Sequence, residues 1–164
     1  MLDAVLPVLR IATAVACGLM AGLFFAFSNT VMAALAARPP AEGMAAMQAI
    51  NRVILNPAFL TIFLITPLAC AIVAGTSLWR WSEPGAVWLI LGSVLYIAGV
   101  FVVTVLANVP MNNALDAVHA SVPQAAAHWS QFLVDWTRWN HVRTGTSILA
   151  AALLTIGIYL SGRA

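Results

Sequence analysis

The sequence lacks lysine and contains few charged residues of any kind. Only 7% of its 164 residues are charged, against about 25% in a typical soluble domain. All seven basic residues are arginines, and the five acidic residues leave a net charge of +2. A nucleic-acid-binding protein needs a basic patch to neutralise phosphates, so that class is excluded. Hydrophobic residues make up 63% of the chain, which excludes a disordered chain and an ordinary soluble protein.

Cysteine is also scarce, and neither cysteine suggests a metal site or a disulfide. Cys17 and Cys70 each lie in an apolar run without a second Cys or His at ligand spacing, so we interpret both as buried free thiols. The apolar run before Cys17 begins only at Ile11 and continues well beyond the cysteine. We therefore expect an uncleaved first span and not a signal peptide.

Four long apolar segments are present, and they predict the fold. A membrane-spanning helix requires about 20 mostly apolar residues, and residues 11–35, 58–78, 86–107 and 141–160 meet this requirement. None of them contains Asp or Glu, and Arg143 is the only arginine within them. We predict one all-α domain over residues 1–164, an integral membrane antiparallel four-helix bundle.

The first and third connections carry apolar residues at helical spacing. The two stripes are Met44, Met47 and Ile50 in the first connection, and Trp129, Phe132, Leu133 and Trp136 in the third. Such spacing is typical of amphipathic helices that lie at the interface or cover a bundle. With four spans, both connections lie on the same membrane face. We therefore predict two short amphipathic connecting helices on that face.

The distribution of arginine gives only a weak indication of orientation. Three arginines lie on the side of the termini and four on the other side, which does not decide under the positive-inside rule. If Arg138 and Arg143 have functional roles, they no longer count toward the positive-inside rule, and the remaining arginines favour termini that face the cytoplasm. We expect an integral protein of the bacterial inner membrane in that orientation.

Polar side chains are concentrated at the end of the bundle opposite the termini. Every Asn, Gln and His of the sequence lies in the first or third connection or in the adjoining span ends. An unpaired polar group in the bilayer costs roughly several kcal/mol, and intramembrane ionisable groups are functional candidates. We predict that the polar side chains of the first, third and fourth spans converge on one pocket near one membrane surface. The alternative is that they act as helix caps and interfacial anchors.

Two residues at the start of the fourth span are the main catalytic candidates. His141 is suited to act as a general base, and Arg143 to hold a developing oxyanion by paired hydrogen bonds. We expect the side-chain carbonyls of Asn108 or Asn112 to accept hydrogen bonds from Arg143. Asp135 and Asp116 are the alternative acceptors. The competing interpretation is that Arg143 reaches the lipid phosphates and His141 caps the helix.

The same end of the bundle offers candidates for substrate binding. Trp129, Trp136 and Trp139 could stack on a flat polycyclic molecule, with Trp139 as the preferred candidate because His141 follows it closely. Asn140 and Asn29 are the expected polar contacts. Tryptophans are equally at home in an interfacial aromatic belt, which is the alternative interpretation.

A metal site has weaker support in the sequence. Asp116 and His119 are three residues apart, which places two ligand types on one helical face, and His128 and His141 could join them. Bundle di-iron sites use two such pairs with further glutamates, whereas this sequence has one pair and no glutamate nearby. A mononuclear iron or copper site therefore stays an alternative to a metal-free site, and the pair is more typical of a solvated helix.

Two segments resemble a known family. Asn108-Val-Pro-Met-Asn112 after the third span, followed by Trp136-x-x-Trp139-Asn140-His141-x-Arg143-Thr144, is similar to the anthrone oxygenase-like family of small four-span membrane proteins, many of them catalogued as a domain of unknown function. The likeness extends over nearly the whole chain. It implies oxidation of a lipophilic enolisable aromatic or quinone-like substrate by O2. No nucleotide-binding fingerprint is present.

In the mechanism that this resemblance suggests, His141 removes the acidic proton, and Arg143, Asn108 and Asn112 hold the enolate oxygen. The carbanion reduces O2 directly, so that neither flavin nor haem is required. The expected partners are a lipophilic small molecule, membrane lipids and a second copy or a larger membrane complex. The alternative function is a non-catalytic subunit that binds a lipid or quinone or packs on such a complex.

Overall fold

The structure, a computed structural model, describes residues 2–119 and 124–163, with side chains described from residue 5 onward. This part of the chain contains five helices and no strand. They are α1 (2–36), α2 (Pro40–Val53), α3 (Pro57–Trp79), α4 (Ala86–Asp116) and α5 (Ala125–Ser161). All except α2 are long and apolar enough to cross a membrane. The predicted all-α membrane bundle is therefore confirmed.

Local sequence determines where the helices of the central hairpin begin. The side chain of Asn56 accepts a hydrogen bond from the backbone N–H of Phe59 at 3.1 Å, and Pro57 occupies the first position of α3. Gly85 precedes α4 with φ +88°. A Cβ atom at Gly85 would collide with the carbonyl oxygen of Gly157, so glycine is required both by the conformation and by the packing.

The third connection differs from the prediction. The stripe from Trp129 to Trp136 was expected in a separate amphipathic helix, but it forms the first turns of α5, which continues unbroken into the fourth span. No proline or glycine occurs between Ala125 and Thr144, so nothing in this sequence ends the helix. The first connection does form a separate short helix, α2.

Helix α2 covers the polar end of the bundle and is fixed to the end of α4. The side-chain amide of Gln48 donates to the carbonyl oxygens of Leu115 at 2.8 Å and Val118 at 3.0 Å. Arg52 forms an ion pair with Asp116 at 2.8 Å. The buried core beneath α2 is rich in Met and Trp side chains. α2 therefore acts as a fixed cover and not as a loose loop.

The structure brings the polar residues to one end of the bundle. Asn108 donates to the carbonyl oxygen of Trp136, and Asn140 donates to the carbonyl oxygen of Phe24. At the other end, Ser161 donates to the carbonyl oxygen of Pro84. The asparagines of α4 and α5 therefore lie together, away from the 79–85 turn.

Candidate functional site

A pocket at the polar end is lined by residues from all five helices. Its cavity volume is about 220 Å³, larger than the ~150 Å³ apolar cavity that accommodates benzene in an engineered protein. The wall is predominantly apolar, and its aromatic members are Phe24, Phe27, Phe59, Phe63 and Trp136. A pocket with this lining is suited to a flat hydrophobic molecule.

Four polar side chains also line this pocket. They are Asn51 on α2, Thr104 and Asn112 on α4, and Arg143 on α5. Part of α1 and part of α4 adopt π-helical turns beside the pocket, at Phe27–Val31 and Thr104–Asn108. Such turns change which side chains point to one face of a helix and occur frequently at functional sites. Phe27 and Thr104 both lie in these turns and both line the pocket.

Among the described residues, Arg143 is the only charged one in the pocket wall, and only 5% of it is exposed. Its guanidinium donates to the side-chain oxygen of Asn140 at 2.7 Å and to the hydroxyl oxygen of Thr104 at 3.3 Å. Its Cζ atom lies 4.4 Å from the ring centroid of Phe24 and 5.1 Å from that of Trp136. The cation is thus held between aromatic rings inside the bundle and does not extend to the membrane surface.

The expected partners of Arg143 were wrong. Its acceptor is Asn140, one turn earlier on the same helix, and not Asn108 or Asn112. The side-chain oxygen of Asn112 is occupied, because it accepts the indole N–H of Trp136 at 2.7 Å. Residues three apart on a helix are neighbours, which explains why Asn140 provides the closest carbonyl oxygen.

Asn140 is itself oriented by α1. Its amide nitrogen donates to the carbonyl oxygen of Phe24 at 2.8 Å and to the hydroxyl of Ser28 at 2.7 Å. Because both amide protons are used, the amide oxygen must point to Arg143. The π-helical turn that contains Ser28 therefore positions the guanidinium through Asn140.

No carboxylate lies beside Arg143 in the part of the chain that the structure describes. The described carboxylates have partners elsewhere: Glu42 with Arg38, Glu83 with Arg10 and Arg80, Asp116 with Arg52, and Asp135 with Gln131. Asp116 and Asp135 were the alternative acceptors and do not serve as such. The positive charge of Arg143 is consequently available to an anionic group in the pocket.

Several polar atoms around the pocket have no hydrogen-bond partner among the described residues. They are Nε of Arg143, the amide nitrogen of Asn51 and the side-chain oxygen of Asn108, all of them buried. Buried polar groups are normally paired, so the atoms of Arg143 and Asn51, which line the pocket, are candidates for contact with a polar ligand. Asn108 does not line the pocket itself, but lies behind Trp136 and donates weakly to its backbone oxygen at 3.4 Å.

Five of the eight predicted site residues do not line the pocket, namely the buried Asn108 and Asn140 and the exposed His141, Trp139 and Asn29. His141 is exposed and faces a separate shallow groove between α1 and α5, because it is two residues from Arg143 and points to a different side of α5. Trp139 is 42% exposed, as expected for the interfacial-belt alternative. Asn29 is also exposed, and its amide donates to the carbonyl oxygen of Phe25 on its own helix.

The weak metal-ligand candidates are also dispersed on the surface. Asp116 is paired with Arg52, and both His119 and His128 are exposed. Within residues 2–119 and 124–163, no three His, Cys, Asp or Glu side chains lie close enough to bind a metal ion.

Asn51, Thr104 and the phenylalanines of α1 and α3 line the pocket but were not among the predicted site residues. Asn51 is four residues after Met47, so the helical period of α2 places it on the buried stripe. Thr104 is likewise four residues before Asn108. Both signals were present in the sequence, whereas the phenylalanines resemble ordinary lipid-facing or core residues.

Comparison with known proteins identifies one family. The family model described as anthrone oxygenase matches residues 47–153, which contain all pocket residues of α2 to α5 but not Phe24 and Phe27 of α1. No curated protein and no solved structure matches the chain.

Proposed function

The chain belongs to the anthrone oxygenase family, and from this premise we propose that it is a membrane-embedded oxygenase for a lipophilic, enolisable aromatic ketone. The observation that carries the proposal is the position of Arg143. Its guanidinium is buried against an aromatic pocket and has no carboxylate partner among the described residues. A cation in such a site stabilises negative charge far more strongly than it would in water.

The geometry supports binding of a planar substrate with its oxygen directed inward. Phe24 and Trp136 flank the guanidinium, so a ketone oxygen that accepts from Arg143 places the attached rings against aromatic side chains. Asn112 supplies a second donor, since only its oxygen is used by Trp136. Loss of a proton converts the ketone to an enolate, whose negative oxygen is held more tightly by these donors than the neutral ketone is.

The reaction then proceeds at the substrate carbon. The acidic C–H bond breaks, and its proton passes to water while the electron pair enters the ring system. The carbanion transfers electrons to O2 and a C–O bond forms, and the resulting peroxide anion takes a proton back from water to give a hydroperoxide. Loss of water from the hydroperoxide leaves a new carbonyl group. In total, one O2 converts a CH2 group to C=O and produces one H2O, and the substrate supplies all of the electrons.

His141 has no geometric support as the base, because it lies outside the pocket. We propose that Arg143 promotes ionisation electrostatically and that water accepts the proton. The roles of Asn108 and Asn140 are indirect in this scheme. Asn140 orients the guanidinium, and Asn108 supports the backbone of Trp136. Iron or copper at this end, location in the bacterial inner membrane and cytoplasmic termini stay predictions.

A second candidate function is the binding of a quinone-like lipid without turnover, alone or as a subunit of a larger membrane complex. The observation in its favour is that no imidazole or carboxylate lines the pocket among the described residues. A binding protein needs shape and hydrogen-bond donors, but no group that accepts a proton.

Purified protein in phosphatidylcholine vesicles, supplied with anthrone, distinguishes the two candidates. We expect anthraquinone formation and O2 uptake in equal amounts, at a rate well above that of protein-free vesicles. With 18O2, one labelled oxygen should appear in each anthraquinone. Saturable binding of anthraquinone without O2 uptake above the protein-free rate would reject the oxygenase and favour the binding protein.

A further inference from the structure

The pocket lies where α3 and α4 separate. α3 packs along residues 86–102 of α4, whereas residues 104–116 pack against α2 and α5. The rings of Phe63 and Phe101, with centroids 5.7 Å apart, lie close to the end of the contact between α3 and α4. Beyond these rings, residues of α3 and α4 line the same cavity from opposite sides. The pocket therefore occupies the gap between the two helices.

Three aliphatic side chains mark the mouth of this gap. Leu55, just before α3, is 62% exposed, Leu64 on α3 is 55% exposed and Val109 on α4 is 41% exposed, yet all three line the pocket. A side chain that is exposed and also lines a cavity lies at its opening. All three residues are apolar, as is Leu60, one turn before Leu64. An opening to water would be expected to carry polar side chains, and this one does not.

The mouth extends from Leu55, in the connection before α3, into the bilayer. Leu64, at its inner end, is seven residues into α3, about 10 Å along the helix axis from its beginning at 1.5 Å per residue. The polar end above is covered by α2, which Gln48 and Arg52 fix to the end of α4. The direction left open is therefore sideways, toward the lipid chains.

We propose that the pocket is loaded laterally from the bilayer through a portal between Leu64 and Val109. The ligand class is a planar lipophilic molecule with one leading oxygen, which passes between the two side chains and reaches Arg143. Its trailing edge stays at the aliphatic mouth, so apolar substituents on that edge extend into lipid. This proposal rests on the proposed function, because the ligand that enters through the portal is the substrate of the proposed oxygenase.

Trp substitutions at the mouth test this route. Leu64→Trp and Val109→Trp narrow the portal from opposite helices, and Leu68→Trp is the matched control. Leu68 is one turn from Leu64 on the same helix and 61% exposed, but it does not line the pocket. In phosphatidylcholine vesicles with anthrone, we expect kcat/KM to fall about tenfold or more in both portal variants, since a narrowed entrance slows association, with no change in Leu68→Trp.

Exchange of bound anthraquinone separates the portal from the chemistry. Leu64→Trp should slow binding and release by the same factor, because narrowing the entrance raises the barrier in both directions and leaves Kd nearly unchanged. If the wild type oxidises anthrone and both portal variants match Leu68→Trp in rate and exchange, the portal is rejected and the proposed function stands. If no variant oxidises anthrone but Leu64→Trp still slows exchange, the oxygenase is rejected and the portal stands.

Discussion

The guanidinium of Arg143 donates to the side-chain oxygen of Asn140 at 2.7 Å, and the amide of Asn140 donates in turn to α1. Through this pair, the orientation of the cation in α5 depends on the backbone of the first span. Both residues are buried. Predictions about the site therefore concern the direction of the guanidinium as well as its charge.

Arg143→Lys should reduce activity with the fold intact. Lysine retains the charge but loses the planar fork, so it cannot donate to Asn140 and Thr104 while also presenting a donor to the substrate. We expect kcat/KM for anthrone to fall about tenfold or more, which corresponds to roughly 1.4 kcal/mol or more. Arg138→Lys, at an exposed position on the same helix, is the control and should retain full activity. Equal activity in the two variants would show that the guanidinium of Arg143 does not contribute to the reaction.

Asn140→Asp tests whether activity depends on the positive charge of Arg143, which has no carboxylate partner among the described residues. The carboxylate would pair with Arg143 and lose the two hydrogen bonds that the amide donates to Phe24 and Ser28. An ion pair in the pocket wall reduces the attraction of the cation for an enolate, so kcat should fall about tenfold or more. Asn113→Asp, at an exposed position of the polar end, is the charge-matched control. Full activity of Asn140→Asp would show that the charge of Arg143 is not used.

The architecture could be predicted from the sequence because it depends on properties averaged over long segments. Twenty apolar residues specify a span whatever their order, and a tight turn such as residues 79–85 requires an antiparallel hairpin. The boundary predicted before α5 was wrong because it also depended on such an average. A polar stretch predicts a connection between helices, but α5 continues through this stretch because no residue in it breaks a helix.

The site depended on the direction of single side chains, which the sequence specified less well. The structure places Arg143 in the pocket wall, in line with the expectation that an intramembrane arginine needs polar contacts wherever it points. His141 was grouped with it by proximity in sequence, yet two residues correspond to about 200° around a helix of 3.6 residues per turn. The π-helical turns at Phe27–Val31 and Thr104–Asn108 further rotate the side-chain directions along their helices, and no residue pattern in the sequence predicted these turns.

His141→Ala should leave activity nearly unchanged. The imidazole is exposed on the α1 side of α5 and does not line the pocket, so it cannot take a proton from a substrate bound at Arg143 without a large movement. We expect kcat and KM for anthrone within about twofold of the wild type, as is usual for a surface substitution away from the site. A loss of kcat with unchanged KM would instead show that His141 reaches the pocket during turnover.

Gly43→Ala should destabilise the cover formed by α2. A Cβ atom at Gly43 would lie 2.6 Å from the carbonyl oxygen of Leu35 and 3.0 Å from the ring of Trp129. Overpacking of this kind costs typically about 1–3 kcal/mol, so we expect a lower midpoint in thermal unfolding. Gly145→Ala is the control, because a Cβ there would have no neighbour within 4 Å. A midpoint for Gly43→Ala equal to or above that of Gly145→Ala would show that α2 is not packed in this position.

Trp136→Phe tests whether the substrate contacts Trp136, which lines the pocket, and not Trp139, which the sequence favoured. Trp136 is buried, lines the pocket, stands over Arg143 and donates its indole N–H to Asn112. Phenylalanine keeps an aromatic ring but releases the oxygen of Asn112, which is then free to turn an acceptor toward the enolate. Repulsion between this oxygen and the developing charge should lower kcat more than it raises KM, because it acts on the anion and not on the neutral ketone. Trp139→Phe, at the exposed position, is the control and should change neither kcat nor KM. A larger effect at Trp139 than at Trp136 would indicate that the substrate binds on the outer face of α5.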